Sequence, residues 1–514
     1  MVFLTLVASI IVLGVIYAVT KAWKINQKWK NQGVPHRTPI LFFGNLLDVV
    51  LKKRTQAEIL QDIYNEFPNE PIVGYYHFLS PRIIVRDLGL VERVLIKDFV
   101  HFVDRAPPVD IKDNPLVVNL FALCGNTWRA VRAKFSPMFT TGKLRYMFPQ
   151  VGNIADDFMK ILDKKLDGVD IKAESGKFAM EVIGSCAFGI EPGAMDEEEN
   201  EFKIEAKAAF SPTLKDFARL TAVFTFPGVA RRLGLQFTPP RTTAYFTKVV
   251  RSALVHRQQS KEVRKDFVQQ MVTLLEKGSI DVEKEDPSDG YLNIGDKSIE
   301  GDEKFELTED VMVGQAFVFL VAGFEAASTT IAFMCLELAT NPAAQEQARA
   351  EVMKAAQNGE LTYDAVKDMQ FLDGCLKETL RLHPPVGQLG RMCVKEYTLP
   401  GTNVTVYPQD FVMVATLGIH GDPDIYPEPT SFNPARWTDD TRRACTYLPF
   451  GDGPRICIGM RFAIMEIKCC VAKILMKYKI KPNPSTEIPV KINPHSFFGL
   501  PLKPILINLE KLPA

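Results

Sequence analysis

No charge of either sign dominates this chain. Its 61 Lys and Arg are matched by 61 Asp and Glu, so no global field draws it to nucleic acid or to an anionic surface. Cysteine is scarce, nine in 514 residues, odd in number and unevenly spaced, which excludes the framework of a small disulfide scaffold and reads as reduced thiols. The histidines, at 36, 77, 101, 256, 383, 420 and 495, stand at no spacing that would hold a tetrahedral zinc. Glycine and proline are few, 32 and 34 against 46% hydrophobic residues, so a disordered or collagen-like chain is excluded. There is no internal repeat, no low-complexity tract and no flavin or nicotinamide fingerprint. At roughly 150 residues per domain the length allows about three units, although large single enzymes exceed that figure.

What is present begins at the N-terminus. Val2 to Thr20 carries no charge. At about 1.5 Å per residue a helix of that length reaches across the roughly 30 Å hydrocarbon core of a bilayer. Lys21, Lys24, Lys28 and Lys30 follow it and nothing basic precedes it, which places the remainder of the chain in the cytoplasm. A cleaved signal peptide is the alternative, but the segment lacks a basic n-region and Ala18-Val19-Thr20 is a poor cleavage site. Residues 1–20 are therefore expected to form an anchor. Residues 21–45, broken by Gly33, Pro35, Pro39 and Gly44, form a stiff extended lead into the folded body at 46–514.

Short β-branched and aromatic runs, Ile72 to Phe78 and Arg82 to Arg86, predict strands of a small sheet, and helical periodicity dominates afterwards. The acidic stretches Asp196 to Glu201 and Asp281 to Asp310 lack an apolar period and predict solvated loops. Thr308 is a plausible N-cap for a long helix with Glu309 and Asp310 in its first turn, ended by Pro342 after Asn341. Between Val311 and Leu336 the one charge is Glu325, so this helix must be buried on nearly every side. A second membrane span would place that carboxylate in hydrocarbon; a central core helix is the better expectation.

One thiol stands apart. Cys469 and Cys470 fit the ordinary role of small buried hydrophobes. Cys457 lies instead in Phe450-Gly451-Asp452-Gly453-Pro454-Arg455-Ile456-Cys457-Ile458-Gly459, just before an apolar-periodic helix from Met460. Flanking glycines let the backbone approach, and the helix start favours a thiolate, which are the needs of a metal ligand. Haem requires one such axial residue. The run Phe450, Gly453, Arg455, Cys457 and Gly459 resembles the haem-binding signature of the cytochrome P-450 superfamily, the haem-thiolate monooxygenases. Glu378 and Arg381 in Lys377-Glu378-Thr379-Leu380-Arg381 resemble its ExxR pair. Phe432-Asn433-Pro434-Ala435-Arg436-Trp437 resembles its PERF segment, with Ala435 and Trp437 departing from the pattern. Trp128 and Arg132 resemble its WxxxR motif. Passages such as Lys97-Asp98-Phe99 to Asp104-Arg105, Gly184 to Gly189 and Ala322 to Glu325 look most like the microsomal detoxification-type branch of arthropods.

The resemblance implies a mainly α fold with a minor β lobe (α+β), one catalytic domain behind the anchor. It implies haem b with Cys457 as axial ligand to the iron, Arg132, Arg391 and Arg455 on its propionates with Trp128, and a bracing network of Glu378, Arg381 and Arg436. The implied partners are O2, the membrane-bound NADPH-cytochrome P-450 reductase, cytochrome b5, a small lipophilic substrate and the endoplasmic reticulum membrane. Arg129, Lys134, Lys143 and Arg145 are candidates for a basic docking face or for plain solvated surface. Phe317, Phe324, Phe497 and Phe498 are candidates for pocket wall or core, and 107–121 and 210–237, with Phe224 and Phe226, occupy the variable recognition regions. In the long helix Ala322-Gly323-Phe324-Glu325-Ala326-Ala327 departs from the family pattern at Ala326, where an alcohol normally positions the water that delivers protons. Gly323 and Glu325 are the remaining candidates for oxygen seating and proton supply, and Thr329 or Thr330, one turn on, acts only through water. The same departure leaves open a haem-thiolate isomerase or dehydratase, and a non-catalytic haem protein that binds lipophilic ligands.

Overall fold

The computed structural model describes residues 2–513 except 106–113, 191, 197–199, 209–218, 220–221, 223–231, 236–237, 261–265, 282–303, 357–358, 440–441, 495 and 497. Helix α1 (Val2–Asn26) runs past the expected end of the anchor. Its apolar stretch has a mean hydropathy of 2.5 and is 0% buried, long and apolar enough to cross a membrane. The following segment is not the plain extended lead expected of it. A short helix at Lys28–Asn31 brings Trp29 against the sheet, where it is 2% exposed. The Trp29 indole N–H donates to the Tyr75 carbonyl at 3.1 Å, its backbone N–H donates to the Tyr76 hydroxyl, and that hydroxyl donates to the Asn26 carbonyl. Gly74 makes this seat possible, because a Cβ there would lie 2.6 Å from the Trp29 ring.

The main helices are α2 (Gln56–Glu66), α3 (Gly125–Phe135), α4 (Thr141–Leu162), α5 (Ile171–Phe188), α6 (Pro240–Gln259), α7 (Glu309–Thr340), α8 (Gln370–Leu382) and α9 (Met460–Lys477). The two larger sheets use β1 (Ile72–His77), β2 (Ser80–Val85), β3 (Val169–Asp170), β4 (Leu389–Met392), β5 (Phe411–Val414), β6 (Tyr478–Pro482) and β7 (Leu506–Lys511). The first is ordered β1-β2-β5-β4 and the second β6-β7-β3. In the first, Ile72 faces Val85 in an antiparallel pair, Arg82 faces Phe411 in a parallel one, and Arg391 faces Val412. The outcome is a large helical body with a minor β lobe, as the fold reading expected.

Helix α7 organises that body. Thr308 caps it by accepting from the Val311 N–H at 3.3 Å. The helix is the second segment apolar enough to span a bilayer, yet 72% of its apolar window is buried inside the protein, against α5, α6, α8 and α9. Its lack of amphipathic pattern follows from that burial. The expected loop at 281–310 lies largely outside the described residues; within it, Lys304–Glu306 pairs as a strand with Ser279–Asp281.

Candidate active site

The Cys457 loop is built by glycine and by backbone closure. Cys457 N–H donates to the Phe450 carbonyl at 2.9 Å, and Ile456 N–H to that of Gly453 at 2.9 Å. Gly453 has φ +70°, and a Cβ on it would fall 1.9 Å from the Leu95 carbonyl oxygen, so no side chain fits. Gly459 is different: its φ is an ordinary −87°, and a Cβ would meet only Phe139 at 3.7 Å. What it contributes is a backbone N–H beside the Cys457 sulfur, as does Met460. The Cys457 side chain keeps exposed surface although the loop lies deep in the fold. The depth governs its chemistry. Burial pushes the thiol up, while the Gly459 N–H, the Arg105 and Arg132 guanidinium groups and the Met460 N–H pull it back toward thiolate.

Guanidinium groups crowd this loop. Arg132, on α3, donates to the Ile456 carbonyl at 2.8 Å, and Arg105 donates to that of Arg455 at 2.8 Å. Arg391, on β4, is 2% exposed, and its Nε is buried without a hydrogen-bond partner. Burial, then Arg105 and Arg455, holds Arg391 well below its ordinary range. Arg455 is 1% exposed and its fork is spent on protein: Nε to the Val103 carbonyl at 2.9 Å, Nη2 to that of Leu123 at 2.7 Å, with Asp104 at 3.6 Å. Its guanidinium also lies 3.9 Å over the Trp128 ring. Burial and Arg105 bring Arg455 down to about 9. Trp128 and Arg455 thus stack on one another and stiffen the loop. Asp104 is the carboxylate facing this group among the described residues. The surplus of buried positive charge, with the orphaned Arg391 Nε, fits a ligand carrying two carboxylates, such as the propionates of haem.

On α7 the predicted residues separate by face. Val318, Ala322 and Ala326, four residues apart, keep surface open where most of their neighbours are buried. Phe317 and Phe324 point away from that stripe into the core, at 6% and 3% exposure, with Phe317 packed on Phe246 at 5.4 Å. Gly323 faces α5, where a Cβ would meet Ile183 at 3.1 Å, so its smallness serves helix packing. Glu325 also turns to α5: Lys172 Nζ donates to its Oε1 at 2.7 Å and to Ser328 Oγ at 3.0 Å. The Thr330 hydroxyl donates back to the Ala326 carbonyl at 2.8 Å, and the Thr329 hydroxyl is buried without a partner. Phe498 is partly buried near the C-terminus; Phe497, Phe224 and Phe226 lie outside the described residues.

The bracing network assembles as the motif order implied. Glu378 is 0% exposed and accepts from Arg381 Nε at 2.9 Å, Arg436 Nε at 2.8 Å and Asn433 N–H at 3.0 Å. Trp437, a departure from the usual aromatic, adds its indole N–H to Glu378 Oε2 at 2.9 Å. Arg381 continues to the His420 and Pro429 carbonyls. Of the proposed basic face, Arg129 and Arg145 are exposed while Lys134 and Lys143 are half-buried, and Arg145 pairs with Asp364 at 2.6 Å. Sequence reasoning missed Arg105 and Lys172 as site residues. Arg105 ends a family-like passage but was given no role there, Lys172 carries no motif, and their partners lie far along the chain, Glu325 being 153 residues beyond Lys172.

Comparison with known proteins agrees with this geometry. The family model for cytochrome P450 matches residues 34–509. Cytochrome P450 6k1 of Blattella germanica is 35% identical over 502 residues, covering 96% of this chain and 94% of that protein. Cytochrome P450 6B2 of Helicoverpa armigera is 33% identical (98% and 97% covered), and the probable cytochrome P450 6a14 of Drosophila melanogaster 34% (98% of each). Members of the family bind haem b and take electrons from NADPH through a reductase. With the signature loop, the buried glutamate network and full-length likeness in agreement, the chain belongs to the cytochrome P450 family, the haem-thiolate monooxygenases.

Proposed function

We propose that Cys457 is the axial thiolate of a microsomal monooxygenase that oxidises small lipophilic compounds. The chemistry that haem supplies when bound is activation of dioxygen and transfer of one of its atoms to substrate. Arg105, Arg132 and Arg391 would hold its propionates, and Arg455 with Trp128 steadies the loop from behind. The Gly459 and Met460 N–H groups, beside the cysteine sulfur, stabilise its thiolate form and would moderate its donation to a bound haem iron. Val318, Ala322 and Ala326 offer an apolar wall to substrate, which favours lipophilic molecules over charged ones. Glu325 remains the candidate proton donor, its carboxylate held toward α5 by Lys172, so it would reach that wall only through water. Electrons come from a separate NADPH-cytochrome P450 reductase with cytochrome b5, docking near Arg129 and Lys134. Helix α1 anchors the protein in the endoplasmic reticulum membrane with its body on the cytoplasmic side.

The observation that carries this reading is the Cys457 loop, with its glycine-made turn and surrounding guanidinium groups. The carbon monoxide difference spectrum of the reduced protein tests it. Cys457→Ser should abolish the thiolate band while Cys469→Ser retains it, and a band that survives Cys457→Ser refutes the assignment. Ala326 supports two other readings, a haem-thiolate isomerase or dehydratase and a non-catalytic binder. Both require product or ligand binding independent of NADPH.

A further inference from the structure

The backbone of one residue is held from both sides of the site. The Leu120 N–H donates to Gln315 Oε1 at 2.9 Å, and the Leu120 carbonyl accepts from Arg455 Nη1 at 3.3 Å. Gln315 sits on α7 at 0% exposure, and its Nε2 donates to the Val118 carbonyl at 2.9 Å. Gly314 brings the same segment still closer, since a Cβ there would lie 2.3 Å from the Val118 carbonyl oxygen. From the opposite side Arg455, two residues before the cysteine, takes the Leu123 carbonyl as well. Phe121 makes a parallel connection. The Arg105 guanidinium lies 4.6 Å over its ring, and the same group donates to the Arg455 carbonyl.

The segment from Asn114 to Leu123 therefore lies between the helix that offers its apolar stripe to substrate and the loop that carries the thiol. A buried amide that both donates to and accepts from one backbone stretch fixes that stretch in a single register, and its loss would leave an N–H and a carbonyl dry and unpaired. We infer that Gln315 is a positioning residue of the Cys457 site. Through Leu120 it sets the guanidinium of Arg455, so that pressure of a substrate on residues 114–123 is felt at the cysteine loop. This rests on the reading of Cys457 as the axial ligand.

Coupling of the two segments requires that they open together. Hydrogen–deuterium exchange on the full-length haem-loaded protein tests it in two windows, residues 116–124 and 455–461. Gln315→Met keeps the side chain's length and removes both hydrogen bonds. Gln345→Met is the matched control, because Gln345 also bonds a backbone in both directions, to Ile480 N–H at 2.9 Å and its carbonyl at 2.8 Å. Gln315→Met should raise exchange about tenfold in both windows, the order expected for one buried hydrogen-bond pair, and the control in neither. A rise confined to 116–124 would overturn the inference. Should Gln315→Met not fold, the urea dependence of exchange in the unmodified protein decides: coincident opening of both windows supports the coupling, and independent opening of 455–461 refutes it. The thiolate band keeps the two readings apart, since a normal band with uncoupled windows removes this inference alone.

Discussion

Position 326 carries a single methyl on the face of α7 proposed to meet substrate. Ala326 lies on the open stripe of α7, and the Thr330 hydroxyl one turn on is bonded back to the Ala326 carbonyl. Ala326→Thr should therefore raise the product formed per NADPH consumed, measured as reaction stoichiometry, and an unchanged ratio would clear Ala326 of any deficit. At this scale the sequence was read well where chemistry is local. Glu378 and Arg381 are three residues apart and meet as one pair, and Cys457 was singled out by its immediate neighbours. Side-chain direction was less legible. Phe317 and Phe324 looked equally suited to pocket and core, and only packing against Phe246 and the rest of the core decides for the latter.

The loop before α9 is the element on which the site depends, and its conformation is over-determined. Gly453 combines a left-handed φ with contact against the Leu95 carbonyl oxygen, a backbone atom that cannot turn aside. Gly453→Ala should cost about 2–5 kcal/mol in loop placement, from left-handed strain and overpacking together. The expected outcome is purified protein with sharply reduced haem content, read from its Soret absorbance relative to protein. The α7 boundaries were legible because a cap, an acidic first turn and a closing proline are all local signals. The seat of residues 28–31 was not, since a tryptophan among lysines advertises nothing until the sheet that receives it is in place.

For the molecule as a whole, acid is the expected weakness. His420 is fully buried, and its Nε2 accepts the Leu448 N–H at 2.9 Å, so that nitrogen carries no proton, while Nδ1 faces the Arg381 carbonyl at 3.1 Å. Burial brings its pKa from 6.5 to about 3. An unfolded chain takes up this proton near pH 6.5 and the native one only near pH 3, so the unfolded state binds more protons across that interval and stability falls as pH is lowered through it. Melting temperature measured from pH 7 to pH 4 should decline, and His420→Gln should flatten part of the decline. Because Leu448 leads into the cysteine loop, haem release should accompany it.

The same scale holds a consequence of the Trp29 seat. With the indole wedged over Gly74 and Lys28 paired to Asp410 at 3.2 Å, the residues that follow the apolar stretch of α1 are welded to the β lobe. A body joined in this way cannot swivel like a balloon on a string. With α1 as the proposed anchor, such a join would hold one edge of the enzyme toward the oily layer from one catalytic cycle to the next.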